Sequence, residues 1–331
     1  MRIGQAALAA FVAFASPALA ADDPVYADMK AADLGQGADL NGAVASPADN
    51  PWNTDISGEP VDPRSDAIIA SIGLDTGIHP DFGSGTYQGG ILGIPYFVVG
   101  KKQADVKIKF RAYGDQSDKG PYPIPRKADV EGERPKGGSF GGDRHVLVIE
   151  KAANRLYELY RAFPREDGGW NADSGAIFHL DSNDVRPTAK PGWTSADAAG
   201  LPIFPGLARY EEASAGLVPH ALRFTVSRSR RAYVPPATHW ASSDEDPDLP
   251  PMGMRVRLKA GYDVPKSFSR ETKAILKALK TYGMFVADNG SDWYLSGAPH
   301  KGWRNGRLAS ELRQVTGRDF EVVRMQGLVT P

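Results

Sequence analysis

The sequence predicts a mainly β fold: an antiparallel two-sheet β-sandwich or jelly roll with a few peripheral helices. Among its 331 residues are 36 Gly and 26 Pro, together with 12 Tyr and 6 Trp, a composition typical of many short strands joined by turns. Several segments also alternate apolar and polar residues, the pattern of strands with one buried and one solvated face.

The first fifty residues predict export. A basic start at Arg2 precedes an apolar, Ala-rich run, and the sequence Ala18-Leu19-Ala20 is typical of a signal-peptide cleavage site. We therefore predict a signal peptide at 1–20 and a secreted protein, extracellular or periplasmic. Residues 21–50 lack apolar periodicity and predict a flexible leader or a loosely wrapped arm, whereas 51–331 predict a single β-rich domain of catalytic type.

Composition also excludes several classes of protein. There is no Cys, which excludes disulfides and thiolate metal sites, and the formal charge of −1 lacks the basic footprint of a nucleic-acid partner. No stretch after the signal peptide is long and apolar enough to cross a membrane. The six His residues stand singly, so we predict neither metal nor cofactor; a structural calcium ion at the acidic stretch 244–246 stays open.

The elements before the middle of the chain are short. Ser65 is placed to cap a helix that Gly73 ends. Five strand-like segments follow, and 146–150 and 156–163 read as a hairpin; the segments are 93–99, 106–111, 146–150, 156–163 and 176–180. The stretch 191–212 contains three Pro and three Gly, too many for a helix interior or a central strand, and predicts a long ordered loop.

The C-terminal part mixes strands with two helices. Alternation predicts strands at 220–226 and 254–259, and Ser269 is placed to cap a helix over 270–282. Residues 284–287 and 293–296 flank an Asp-Asn-Gly turn and predict a hairpin. A last helix at 308–315 and a strand at 320–323 complete the prediction.

Two polar turns and two strands supply candidate site residues. His79 and Asp81 share a Gly-rich turn, and Asp143 and His145 stand where a strand begins; each Asp could instead only cap its turn. Glu158 lies between Leu156 and Tyr160 on one strand face, where burial would raise the pKa of a general acid; the alternative is a solvent-facing Glu on the wet side of the sheet. Asp181 similarly follows a strand on the face of His179.

The long loop supplies further candidates. Trp193, Ser195 and Asp197 offer an aromatic plate, a hydroxyl and a carboxylate, the groups with which proteins bind and cleave sugars. The alternative is that Trp193 plugs the sandwich while Asp197 caps a turn. Arg209 could close the loop or join the site.

Three strands carry cations on one face, and these cations are Lys107, Lys109, Arg111, Arg223, Arg255, Arg257 and Lys259. Paired in one sheet they would form a basic surface for a uronate or sulfate chain; otherwise the face is simply solvated. His220, which opens the strand of Arg223, joins the candidate binding residues.

Four phrases of the sequence carry a resemblance: GDRHVLVIEKAANRLYELYRAF, GWTSADAAGLPIFPGLARYEE, HALRFTV and ADNGSDWYLSG. They resemble a group of secreted proteins of soil bacteria and fungi, over about residues 51–320. The resemblance implies an extracellular role and brings no activity or catalytic residue with it.

The leading hypothesis is a secreted carbohydrate-active enzyme, a glycoside hydrolase that cleaves a polysaccharide with a carboxylate acid and base pair. The pair is drawn from Asp81, Asp143, Glu158, Asp181 and Asp197. The binding residues are Trp193, Ser195, His145, His79, His220, Arg223 and Arg209. A polysaccharide lyase acting on a uronate chain and a non-catalytic carbohydrate-binding module are the alternatives.

Overall fold

The computed structural model of the chain describes residues 23–132, 142–186 and 192–331. The predicted signal peptide lies outside these residues. Strands far outnumber helices, so the mainly β fold is confirmed. The α-helices of these described residues are α1 (Ser65–Ile72), α2 (Tyr210–Ala215), α3 (Arg270–Thr281) and α4 (Asn305–Leu312).

Twenty strands are present in the described residues: β1 (Val25–Tyr26), β2 (Gly35–Gln36), β3 (Ala43–Val44), β4 (His79–Asp81), β5 (Thr86–Tyr87), β6 (Gly90–Ile91), β7 (Tyr96–Val99), β8 (Ile108–Phe110), β9 (Val146–Glu150), β10 (Arg155–Tyr160), β11 (Phe163–Pro164), β12 (Trp170–Ala172), β13 (Ser174–His179), β14 (Leu222–Val226), β15 (Arg230–Tyr233), β16 (Pro251–Met252), β17 (Arg255–Leu258), β18 (Met284–Asn289), β19 (Tyr294–Ser296) and β20 (Phe320–Val322).

Two large sheets dominate the molecule. The five-stranded sheet has the order β13-β10-β9-β7-β2, and the six-stranded sheet has the order β20-β17-β18-β14-β19-β4. The pairs β7–β9, β14–β18 and β4–β19 are parallel. Both sheets are therefore mixed, whereas the sequence predicted antiparallel ones.

The long loop predicted from Pro and Gly contacts both large sheets, and we call residues 192–209 the inner segment. The Glu158 side chain on β10 accepts the backbone N–H of Ile203. On the other side, the N–H of Ala199 donates to the carbonyl of Ala287 on β18 at 3.0 Å. The inner segment is thus held by hydrogen bonds to both sheets.

Apolar side chains cover both faces of the five-stranded sheet. Leu147 and Leu156 pack with Ile203 and Phe204 of the inner segment. The opposite face, with Val148, packs against the three-stranded sheet β11-β12-β8. Because neither face is open to water, polar side chains on these strands are enclosed by protein.

Some local predictions agree with the structure. Ser269 caps α3 and its hydroxyl accepts the N–H of Thr272, while β9 and β10 form the predicted hairpin. Gly73 ends α1 at φ 121°, although Ser65 is the first helical residue and does not cap it. The last helix ends at Leu312, before the predicted end.

Two predictions differ from the structure. The predicted hairpin between 284–287 and 293–296 does not form, because β14 lies between β18 and β19 and pairs with both. Residues 21–50 were predicted as a flexible leader or a loosely wrapped arm, and from residue 23 onward they pack on the protein, where Met29 and Leu40 are buried, which contradicts the flexible leader. The buried apolar residues of this segment, large and small, follow no regular period, so the sequence pattern did not reveal the packing.

Candidate functional site

Glu158 holds the inner segment in place. Its carboxyl group accepts the N–H of Ile203 at 2.9 Å and that of Phe204 at 3.0 Å. The residue is 0% exposed, and burial raises the pKa of its carboxyl to about 7, against the two backbone hydrogen bonds. With its oxygens enclosed and bonded, Glu158 cannot touch a substrate, which corrects its predicted catalytic role.

Asp197 forms a buried ion pair with Arg223. Its Oδ2 lies 2.6 Å from Nη2 of Arg223, and its Oδ1 accepts the N–H of Ala199 at 2.8 Å. Burial raises the pKa of Asp197, while the guanidinium opposes that rise. The residue is 1% exposed, so it too is enclosed rather than available to a substrate.

Arg223 also belongs to a row of side chains that crosses three neighbouring strands. Its Nη1 donates to Oγ of Ser296 on β19 at 3.0 Å, and Ser296 is the register partner of Asp81 on β4. Because paired residues of neighbouring strands point to the same face, Asp81, Ser296 and Arg223 form one row across the sheet. The row ends at the accessible carboxyl group of Asp81.

A second buried pair joins His145 to Glu131. Nδ1 of His145 contacts the Glu131 carboxylate, and Nε2 lies 3.0 Å from the carbonyl oxygen of Ala196 in the inner segment. Burial would lower the pKa of His145, but the charge and hydrogen bond of Glu131 outweigh it and raise the pKa to about 9. At neutral pH the ring is therefore an imidazolium that donates from both nitrogens.

Three carboxyl groups around these pairs are open to solvent. Asp81 and Asp143 are exposed and Asp288, at the end of β18, is half-buried. Burial and the charge of Asp197 raise the pKa of Asp288 to about 7. Burial and the charge of Glu131 also raise the pKa of Asp81 although solvent reaches it, a combination that fits a carboxyl group in a depression of the surface.

These carboxyl groups lie close enough to influence one another. The charge of Asp143 raises the pKa of both Asp81 and Asp288, and it also favours the protonated form of His145. In the described part of the chain, neither Asp81 nor Asp143 has a side-chain hydrogen bond or ion pair. The arrangement therefore offers unpaired carboxyl groups beside a fixed imidazolium, a set suited to proton transfer.

Other predicted residues lie elsewhere or are occupied. Asp181 is exposed beyond β13, five residues past the Ala176 partner of Glu158, which is up to roughly 16 Å along an extended chain. Ser195 is buried, and its hydroxyl donates to the carbonyl of Leu201 at 2.8 Å. Asp181 is thus at the wrong end of the sheet, and Ser195 serves the inner segment itself.

Arg209 and His220 belong to a separate buried cluster, and not to a substrate site as predicted. Arg209 pairs with Glu211 and Glu212, and Nε2 of His220 lies 3.1 Å from Glu212. The sequence placed both near the site because they flank the inner segment. Their side chains instead neutralise the acidic first turn of α2.

Trp193 and His79 are partly exposed rings outside the row of Arg223. The Trp193 ring is half-buried and has the Arg186 guanidinium 5.4 Å from its centroid. His79 stacks on Tyr294 with centroids 4.2 Å apart, two residues before Asp81 on the same strand. Either ring could border a substrate, but neither lies in the row of Arg223.

The predicted basic surface does not form. Lys107 and Lys109 belong to the chain around β8 in the three-stranded sheet, whereas β14 and β17 are separated by β18 in the six-stranded sheet. Arg223 is buried against Asp197, and Arg257 pairs with Glu321 at 2.8 Å. The cations around β8 therefore lie in a different sheet from Arg223 and Arg255, which both pair with Phe285 and share a face of the six-stranded sheet.

Sequence reasoning missed three residues of the site, Glu131, Asp288 and Ser296. Asp288 looked like the start of an Asp-Asn-Gly turn, and Glu131 lies in a polar loop without alternation. Only the pairing of distant strands brings them to His145 and Arg223. No local signal distinguishes them.

Within the described ranges, no group of three His, Cys, Asp or Glu residues could hold a metal ion. At the acidic stretch 244–246, Asp244 pairs with Arg228 at 2.8 Å and Glu245 with Arg231 at 3.4 Å. In the same described residues, no helix has the length and apolar character needed to span a bilayer.

Comparison of the chain with protein-family models, with curated proteins and with solved structures yields no match.

Proposed function

We propose that this protein is a glycoside hydrolase in which Asp288 is the general acid and Asp143 is the partner carboxylate. The observation that carries the proposal is the group of accessible carboxyls around two buried ion pairs, with the pKa of Asp288 raised to about 7. Glycoside hydrolysis requires one protonated and one ionised carboxyl across a scissile bond. Raising one pKa is the usual means of separating the two roles.

The buried pairs act by positioning. The imidazolium of His145 lies between Glu131 and the Ala196 carbonyl, and its positive charge stands close to Asp143 and Asp288. Arg223, fixed by Asp197, adds a second positive charge. These charges limit the repulsion between the accessible carboxyls and let them share one depression.

The charge of the site favours an uncharged glycan over a uronate chain. Its two cations, His145 and Arg223, are buried and already paired with carboxylates, so neither is free to neutralise a uronate. The accessible groups described above are all acids, and like charges repel. This argues against the lyase alternative, which needs a cation at the substrate carboxylate.

We propose an exported protein, in keeping with residues 1–20, related to the secreted group that the sequence phrases resemble. We also retain the sandwich arrangement, with the inner segment as the layer between the two large sheets. The jelly-roll order is not part of the proposal.

The test is hydrolysis of a panel of neutral and uronate polysaccharides, with reducing ends and the ultraviolet absorbance of unsaturated products measured together. We expect reducing ends without absorbance. Asp288→Asn and Asp143→Asn should each lower the rate by about 10²- to 10⁴-fold, the contribution of a general acid or base. The rate should fall as pH rises above about 7, where Asp288 loses its proton.

Asp181→Asn is the matched control, because Asp181 is an exposed carboxyl at the other end of the sheet. It should cleave at the wild-type rate. An unchanged rate in Asp288→Asn, or unsaturated products from wild type, would contradict the proposal.

A further inference from the structure

A cavity of about 450 Å³ opens beside the candidate site. Its lining includes Gln36, Gly85, Asp129, His300 and Lys301. Its volume falls within the roughly 300–1,000 Å³ typical of pockets for small ligands.

The cavity adjoins the site along two stretches of chain. Gly85 follows Asp81 by four residues, and Asp129 precedes Glu131 by two. Ile91, which also lines the cavity, forms a β-bridge with Gly132 next to Glu131. The lining of the cavity is therefore continuous along the chain with Asp81 and with Glu131.

His300 presents a free donor to the cavity. Its Nδ1 accepts the N–H of Gly302 at 3.0 Å, so a neutral ring carries its proton on Nε2. Burial and the charge of Lys301 lower the pKa of His300, which keeps the ring neutral at neutral pH. Tyr210 stacks on the ring at 4.4 Å and fixes its plane. Among the described residues, Nε2 has no partner.

Asp129 and Lys301 supply an acceptor and a further donor. Neither side chain has a hydrogen-bond or ion-pair partner among the described residues. Gln36 fixes the backbone of Asp129: its amide oxygen accepts the Asp129 N–H at 3.1 Å, and its nitrogen donates to the Tyr96 carbonyl at 2.7 Å. The two charges are opposite, so the cavity as a whole suits a neutral ligand with many hydroxyl groups.

We propose that this cavity is a binding subsite for an uncharged sugar unit of the chain whose cleavage occurs at Asp288 and Asp143. His300 Nε2 and Lys301 donate to its hydroxyl groups, and Asp129 accepts from them. The inference rests on the proposed function and deepens it, since a subsite beyond the scissile bond makes the enzyme one that recognises several consecutive sugars.

The test combines a subsite variant with oligosaccharides of two lengths. Asp129→Ala/Lys301→Ala is compared with Lys101→Ala/Asp184→Ala, a control pair of exposed charges outside the cavity. The probes are the hexasaccharides and trisaccharides of cellulose, xylan, mannan and laminarin. Binding to the hexasaccharides is measured by calorimetry with each pair in the Asp288→Asn background, and kcat/KM is measured with Asp288 intact.

We expect the subsite variant to bind one of the hexasaccharides at least about tenfold more weakly than the control, because losing even one of its two charge-assisted hydrogen bonds has that effect. The kcat/KM for that hexasaccharide should fall similarly, and that for the trisaccharide should not change. Equal binding by subsite variant and control, equal losses on both lengths, or no binding of any hexasaccharide would overturn the subsite. Weakened binding without any hydrolysis by wild type would keep the subsite and reject the hydrolase.

Discussion

At the scale of residues, the pair of His145 and Glu131 makes stability depend on pH. The pKa of His145 is about 9 in the folded protein and 6.5 for the ordinary group. The His145 contribution is thus complete below pH 6.5 and is lost as pH rises toward 9. The difference corresponds to about 3 kcal/mol. The pKa of Glu131 is lowered, so its contribution is lost only in acid.

Glu131→Gln should remove this alkaline dependence. Without the carboxylate, burial dominates and the pKa of His145 falls, so less stability is present at pH 6 to be lost. We expect wild type to exceed the variant in unfolding free energy by more at pH 6 than at pH 9.5, measured by urea denaturation. Because both proteins share all other titrating groups, a gap of the same size at both pH values would refute the coupling.

Single residues also show which properties a local sequence pattern can identify and which it cannot. Alternation correctly put Glu158 on the face of Leu156 and Tyr160, where burial raises its pKa. It could not give the depth of that burial, because the inner segment that covers Glu158 begins more than thirty residues later. Arg223 was assigned to a wet face for the same reason, since its partner Asp197 is distant in sequence.

At the scale of elements, the inner segment depends on a close approach at Gly206. A Cβ at this position would lie 2.6 Å from the Trp52 ring and 3.0 Å from Cβ of Arg223. Gly206→Ala should therefore push the segment away from Arg223 and lower the unfolding free energy by about 1 to 3 kcal/mol, the usual cost of overpacking.

The change at Gly206 should also reduce hydrolysis, because Arg223 and Asp197 position the site. Gly58→Ala is the control, since a Cβ there meets nothing within 4 Å, and it should leave both properties near wild type. Urea denaturation and the rate on the best polysaccharide measure the two effects. If Gly206→Ala and Gly58→Ala have the same unfolding free energy, the inner segment accommodates the added Cβ without strain and the prediction is wrong.

Elements also differ in how far local sequence specifies them. A capping residue and a stripe of apolar side chains specify helix α3, and a short turn specifies the hairpin of β9 and β10. Each of these signals lies within a few residues of the element. The strand pairing around β14 is not: its neighbours β18 and β19 follow it by about sixty residues. A turn signal between them predicted a hairpin, and long-range pairing overrode it.

At the scale of the whole molecule, the layers explain why the site was only partly predictable. The sequence implied sheets with one solvated face, but the five-stranded sheet is covered on both. Polar residues on its enclosed side must therefore be paired, as His145 and Glu158 are. The candidate site lies where the buried ion pairs adjoin the accessible carboxyl groups at strand ends and in loops.

We call residues 23–50 the N-terminal arm. Two of its side chains allow a test of whether the arm folds with the rest of the protein. Met29 is 0% exposed and its N–H donates to the Asn154 side chain at 2.8 Å, while Leu34 in the same arm is 63% exposed. Met29→Ala should lower the unfolding free energy by about 2 to 5 kcal/mol, as for other buried Met side chains. Leu34→Ala should change it by no more than about 0.5 kcal/mol.

A flexible leader would leave both variants at wild-type stability, so the difference between them in urea denaturation decides whether the arm folds with the sheet. Because β2 of the arm also pairs with β7 and carries Gln36, a loss of stability in Met29→Ala should be accompanied by weaker hexasaccharide binding.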